Sequence, residues 1–137
     1  MTGDKSAKTV LVADDSASMR WILRTFLRQL GFGTVLEASN GLAAWNLLKR
    51  HKVDVILSDW IMPAMNGLDL LEKVRADANL RFVPIIVVTV NGQQDQVIEA
   101  LNMGCTDYVV KPMNMQVLAG KLEKVLREQR PRPGPSG

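Results

Sequence analysis

One cysteine, one histidine and no long apolar run in 137 residues already exclude several classes of protein. Cys105 has no partner for an internal disulfide, which fits a reducing compartment. The apolar runs are strand-sized, far short of the ~20 residues that span a bilayer. The first eight residues are polar and lack the apolar stretch of a secretory signal. His51 sits near a helix end with no second motif around it, so a phospho-carrier role is set aside. Net charge is only +3, and part of the excess is local to Arg127, Arg130 and Arg132, with Glu128 as their acidic neighbour. So small a basic excess gives no argument for nucleic acid. The expectation is a cytoplasmic protein with neither nucleic acid nor membrane as a partner.

What is present is the composition of a soluble globular domain: 47% hydrophobic and 23% charged residues. The length fits one domain with a real core. Residues 10–13 form a short apolar run that stops at Asp14-Asp15. Met19, Ile22, Leu23, Phe26, Leu27 and Leu30 then trace one face of a 3.6-residue helix. Ser16 is its expected N-cap, and Gly31 can take the left-handed conformation just past its end. Residues 34–38 read as an edge strand, and Ser39-Asn40-Gly41 as a turn and cap before a helix through Arg50. A third strand over 53–57 runs into Ser58-Asp59. Pro63 and Gly67 mark a loop before a helix over about 68–75. Residues 83–88 form the most apolar strand, ending at Thr89. A helix over 93–103, a strand over 107–110 and a helix from 115 to about 127 complete the chain. The expected organisation is a flexible lead-in over 1–8, a folded unit over 9–128 and a disordered Pro/Gly-rich tail over 129–137.

Five strands alternating with five helices imply a parallel α/β sheet covered on both faces, a doubly wound fold. In such sheets ligands bind beyond the C-terminal strand ends, at a topological switch point. Asp14 and Asp15 follow the first strand, Asp59 the third, Thr89 ends the fourth and Lys111 follows the fifth. All five therefore share one sheet edge. Carboxylates held this close raise one another's pKa unless a cation neutralises them. Mg²⁺ is the hard ion that takes carboxylate, water and phosphate oxygens. A carboxylate is also a nucleophile toward phosphorus, giving an aspartyl phosphate. Phosphoryl transfer needs mostly positioning and charge neutralisation, which an ammonium and a hydroxyl would complete.

Four motifs at fixed spacing carry a resemblance: Val12-Ala13-Asp14-Asp15-Ser16, Ser58-Asp59-Trp60-Ile61-Met62-Pro63, Val88-Thr89 and Tyr108-Val109-Val110-Lys111-Pro112. From Asp59 to Thr89 is 30 residues, and from Thr89 to Lys111 is 22. From about Lys8 to Arg127 the chain resembles a response-regulator receiver domain, and within that family the single-domain chemotaxis regulators of the CheY type. The resemblance, not the pattern, implies the flavodoxin-like strand order 2-1-3-4-5. It implies a receiver domain over 9–128 that accepts a phosphoryl group on Asp59 from a histidine kinase. Asp15 would ligate Mg²⁺ directly and Asp14 through water, with the backbone carbonyl of Ile61 as a further ligand. Lys111 would contact the phosphoryl oxygens, Thr89 would swing toward them, and Tyr108 would turn inward in response. Lys111-Pro112 would be a cis peptide. The output would be altered binding to a protein target, with the flagellar motor switch one candidate, by a monomer whose only catalysis is its own phosphorylation and dephosphorylation.

Two positions depart from the family. Val90 stands where a small residue is common and would crowd the site's mouth. Ile61 stands where chemotaxis regulators often carry a polar residue. Both bear on the access of a hydrolytic water and so on the lifetime of the phosphorylated state. Other functional readings remain: a phosphorelay shuttle, a receiver cut from a larger transcriptional regulator, or a small aspartyl-phosphate phosphatase. Haloacid-dehalogenase-type phosphatases place the nucleophile after the first strand, two residues before a second Asp. Here the first-strand pair is adjacent.

Several residues admit a plain and a sharper reading. Trp60 is either a loop aromatic or a reporter of binding beside Asp59. Trp21, near Arg20, Arg24 and Arg28, is either an isolated exposed aromatic or part of a kinase-docking surface. Trp45 and Cys105 read as packing residues. Lys121, Lys124 and Arg127 read as a solvated helix face.

Overall fold

The computed structural model describes residues 5–90 and 94–128. The apolar runs become five strands: β1 (Thr9–Ala13), β2 (Thr34–Ala38), β3 (Val55–Ser58), β4 (Ile85–Thr89) and β5 (Asp107–Val110). Every neighbouring pair is parallel, and the order is β2-β1-β3-β4-β5. β3 and β4 are buried at every residue because helices cover both faces, whereas the edge strands β2 and β5 keep partly exposed positions. This is the expected doubly wound, flavodoxin-like fold. Its direction of winding reverses between β1 and β3, so the crevice beyond their C-terminal ends is the switch point.

The helices are α1 (Ala17–Gln29), α2 (Gly41–Arg50), α3 (Gly67–Ala76), α4 (Gln94–Asn102) and α5 (Met115–Arg127). Ser16, Asn40, Asn66 and Asn114 cap α1, α2, α3 and α5, each side chain accepting a backbone N–H of the first turn. The two-residue period of the strands divides the core. Val10, Val12, Val55, Leu57, Ile86 and Val88 face α1 and α5, meeting Leu23, Leu27, Leu118 and Leu122. Leu11, Ile56, Ile85 and Val87 face the other layer, meeting Ala44, Leu48, Leu70, Leu71 and Val74.

Differences from the sequence reading fall at element ends. β4 starts at Ile85 rather than 83. Pro84 has no N–H to give a ladder, and the Val83 N–H closes a turn on the Leu80 carbonyl at 2.9 Å. β3 starts at Val55 rather than 53, since the buried Asp54 carboxylate takes the Thr9 N–H at 2.8 Å. α3 gains a residue at each end, because Asn66 caps it one position earlier than the loop signals suggested. α4 ends at Asn102, and Gln93 lies outside the described residues. Of the expected flexible lead-in, Lys5–Ala7 forms a 3-10 turn. The Lys5 carbonyl accepts the Gly33 N–H at 3.0 Å, and its ammonium meets Glu123 at 3.3 Å. The expected disordered tail lies outside the described residues. Among these, no helix is long and apolar enough to cross a membrane.

Candidate functional site

Asp14 and Asp59 extend the sheet past its strand ends. The Asp14 N–H donates to the Ala38 carbonyl at 3.0 Å, and the Asp59 N–H to the Ala13 carbonyl at 2.8 Å. The ladder thereby sets both carboxylates side by side at the switch point. Asp14 is 1% exposed. Its Oδ1 accepts the Ser16 N–H at 2.8 Å, and its carbonyl accepts Arg20 at 2.7 Å. Asp59 Oδ1 accepts the Trp60 N–H at 2.7 Å. From the end of β5 the Lys111 ammonium reaches Asp14 Oδ2 at 2.8 Å and Asp59 Oδ2 at 3.1 Å. The Lys111 N–H is tied to the Thr89 carbonyl at 2.7 Å, and Thr89 is buried at the end of β4. The Lys111-Pro112 peptide is cis.

Asp15 is exposed and completes the cluster: one carboxylate oxygen from each of Asp14, Asp15 and Asp59 lies within 4.8 Å of the others. Three carboxylates against one ammonium leave two negative charges if all are ionised. All the donors are hard oxygens, so the set fits a divalent hard cation such as Mg²⁺. Burial pushes the Asp59 carboxyl above its ordinary pKa, with the Asp14 charge adding to the rise and Lys111 offsetting part of it. Burial alone would lower the Lys111 ammonium. Its hydrogen bond and charge contact with Asp14, then those with Asp59, outweigh that and hold it above its ordinary value.

The β3–α3 loop is held by a close backbone approach. The Gly67 N–H donates to the Trp60 carbonyl at 2.8 Å, and a Cβ at Gly67 would collide with the Asp59 carbonyl. In the sequence Gly67 is legible only as a loop mark, since nothing there shows which carbonyl a glycine faces. Ala64 in the same loop has φ 66°, the left-handed region that costs an L-residue roughly 1–2 kcal/mol. Ala64→Gly removes that clash but adds freedom to the unfolded chain. The expected net is a stabilisation of about 0.5 kcal/mol, read as a higher urea midpoint. An unchanged or lower midpoint would show that the loop carries no strain there.

The structure thus gathers Asp14, Asp15, Asp59 and Lys111 and puts Thr89 at the adjacent strand end. Tyr108 stands further back, in register with Val87, and packs half-buried against the α2–α3 side of the core. Val90, expected at the site's mouth, is 73% exposed, and Ile61 is 67% exposed. Both lie in solvent because each follows a strand end where the covering layers stop. Trp60 is half-buried against the core, and Trp21 is 57% exposed. Arg20 and Arg24 turn to Glu37, at 3.4 and 2.6 Å. Trp45 packs against the core under Lys49 and Lys73. Burial of Cys105 raises its thiol to about 11, so it stays protonated. Lys121 corrects the solvated-face reading, since it is half-buried and bound to Asp107 at 2.8 Å.

Residues 10–123 match the response regulator receiver domain family. The chain belongs to this family. The receiver is similar to the chemotaxis protein CheY homolog of Campylobacter jejuni, 50% identical over 118 residues, covering 85% of this chain and 91% of that protein. It is likewise similar to chemotaxis protein CheY1 of Helicobacter pylori, 48% identical over 118 residues, covering 85% and 95%. Among solved structures, the chemotaxis response regulator CheY4 of Vibrio cholerae superposes with TM-score 0.80 at 32% identity, covering 86% and 98%. The receiver domain of a Pseudomonas aeruginosa sensor histidine kinase, with a magnesium ion coordinated in its active site cleft, gives TM-score 0.80 at 29% identity, covering 87% and 97%. The family to which this receiver belongs consists of signalling regulators.

Proposed function

We propose that this receiver is a cytoplasmic chemotaxis response regulator that takes a phosphoryl group onto Asp59 from a histidine kinase and thereby changes its binding to a protein partner. The observation that carries the reading is the Lys111 ammonium bridging Asp14 and Asp59 within the three-carboxylate cluster. A nucleophilic carboxylate, a cation site and a mobile-headed ammonium then meet at one point. Asp14, Asp15 and Asp59, with the Ile61 carbonyl, would hold Mg²⁺, which when bound neutralises phosphoryl oxygens. The Asp59 oxygen attacks phosphorus, and the bond to the donor histidine nitrogen or acetyl oxygen breaks with its electron pair leaving on the donor. The Lys111 Nζ exchanges its carboxylate partners for a phosphoryl oxygen, and the Thr89 hydroxyl takes another. Both residues lead into α4, β5 and α5, where Ile98, Leu101, Val110 and Val117 are exposed apolar side chains suited to a protein partner.

Incubation with acetyl phosphate should add one phosphoryl group by intact mass only when Mg²⁺ is present. Equal labelling in excess chelator would overturn the metal assignment.

The phosphorylated state should be long-lived. Hydrolysis needs a water in line with the Asp59–phosphoryl bond, and Ile61 offers it no hydrogen bond. One such bond in the transition state is worth about 1–1.5 kcal/mol, or about tenfold in rate. The variant Ile61→Asn with Val90→Ala should therefore lose phosphate up to about tenfold faster than the wild type. An equal or slower rate would show that neither side chain governs water.

A further inference from the structure

We propose that Lys121 is a positioning residue for Tyr108, held over the ring by Asp107 as a latch on the output face. The inference rests on the reading of Tyr108 as the residue that answers phosphorylation. Lys121 lies on α5 and faces the edge strand β5. Its ammonium is 2.8 Å from Asp107 Oδ1 and 5.3 Å from the centre of the Tyr108 ring. The same Asp107 oxygen accepts the N–H of Tyr108 itself at 2.8 Å. One carboxylate therefore fixes both the backbone of Tyr108 and the cation above its ring.

All three side chains are half-buried. The tyrosine packs on the core cluster and has the cation above it. A cation is attracted to a ring face, and partial desolvation strengthens the attraction. An ion pair of this exposure is weak as an anchor of the fold. It suffices to bias a side chain with two close-lying positions, since a bias works only through a difference between states. The contacts favour the ring position seen here, so any movement of Tyr108 must first release or drag Lys121. Asp107 and Lys121 lie on no shared periodic face of the sequence. Only the packing of α5 along the sheet edge joins them.

Tyr108 is the only tyrosine, so 3-fluorotyrosine labelling gives one fluorine resonance that reports its ring alone. In the wild type, beryllofluoride with Mg²⁺ should move this resonance. Lys121→Met should shift the unliganded resonance toward the beryllofluoride position, with the population ratio changed roughly fivefold. Asp107→Asn should do the same while keeping an oxygen for the Tyr108 N–H. Lys121→Arg, which keeps both the ion pair and the cation over the ring, should restore the wild-type spectrum. The latch is overturned if the wild type responds to beryllofluoride and both variants overlay it in each state. If the wild-type resonance ignores beryllofluoride, the inference fails for the separate reason that Tyr108 does not switch.

Discussion

Replacing Asp59 by asparagine should abolish phosphoryl uptake completely and at the same time raise resistance to urea at pH 7. The first effect follows from chemistry. The amide oxygen is far less nucleophilic than a carboxylate, and Asp14 is buried and occupied by Lys111 and the Ser16 N–H. The second effect follows from linkage. Asp59 has a higher pKa in the fold than its ordinary value near 3.8, chiefly through burial. The folded state then binds the proton more tightly than the unfolded chain does. Stability therefore rises as pH falls through the raised folded value toward the ordinary one, and above both the ionised group weighs against folding. A neutral amide of the same shape removes that burden. Intact mass after acetyl phosphate treatment and urea unfolding at pH 7 test the two parts separately. Full labelling of the variant would remove Asp59 as acceptor. A lower midpoint would show that its contact with Lys111 outweighs its burial.

Lys111→Met should be the most destabilising single change at the site. Lys111 is the ammonium paired with Asp14 and Asp59, and its side chain is 11% exposed while that of Asp14 is 2% exposed. Breaking a buried pair leaves an uncompensated charge at a cost of about 3–5 kcal/mol, and the partial exposure here favours the low end, about 3 kcal/mol. With urea slopes of about 1–3 kcal/mol per molar, the midpoint should fall by at least ~1 M. Added Mg²⁺ should recover more stability in the variant than in the wild type, because the cluster now lacks its internal cation. A ligand at a hundred times its Kd contributes about 2.7 kcal/mol. The wild type's advantage has a pH window as well. The Lys111 pKa is raised in the fold, so its contribution is fully present below the ordinary value near 10.5 and is lost as pH rises through the folded one. Equal midpoints at neutral pH, or equal Mg²⁺ shifts, would mean that Lys111 does not compensate the carboxylates.

The sequence by itself determined the element order, because period and punctuation are local. Residues 34–38, 107–110 and the helix through Arg50 fall where alternation, caps and turn residues placed them. It also placed Asp14, Asp15, Asp59, Thr89 and Lys111 at one sheet edge, since any parallel alternating fold sends its strand ends the same way. Strand order came from family likeness, not from periodicity, because each buried strand reads alike whichever neighbour it takes. Pairing of Asp14 with Lys111, 97 residues apart, was legible only as a shared edge. Its 2.8 Å contact, and the direction in which each group's pKa moves, depend on burial that the packed helices create. Tertiary structure alone turned Ile61 and Val90 out to solvent, set Gly67 against the Asp59 carbonyl and brought Lys121 over Tyr108. These are contacts between elements. Local propensity does not encode them, because each is set by how one layer sits on another.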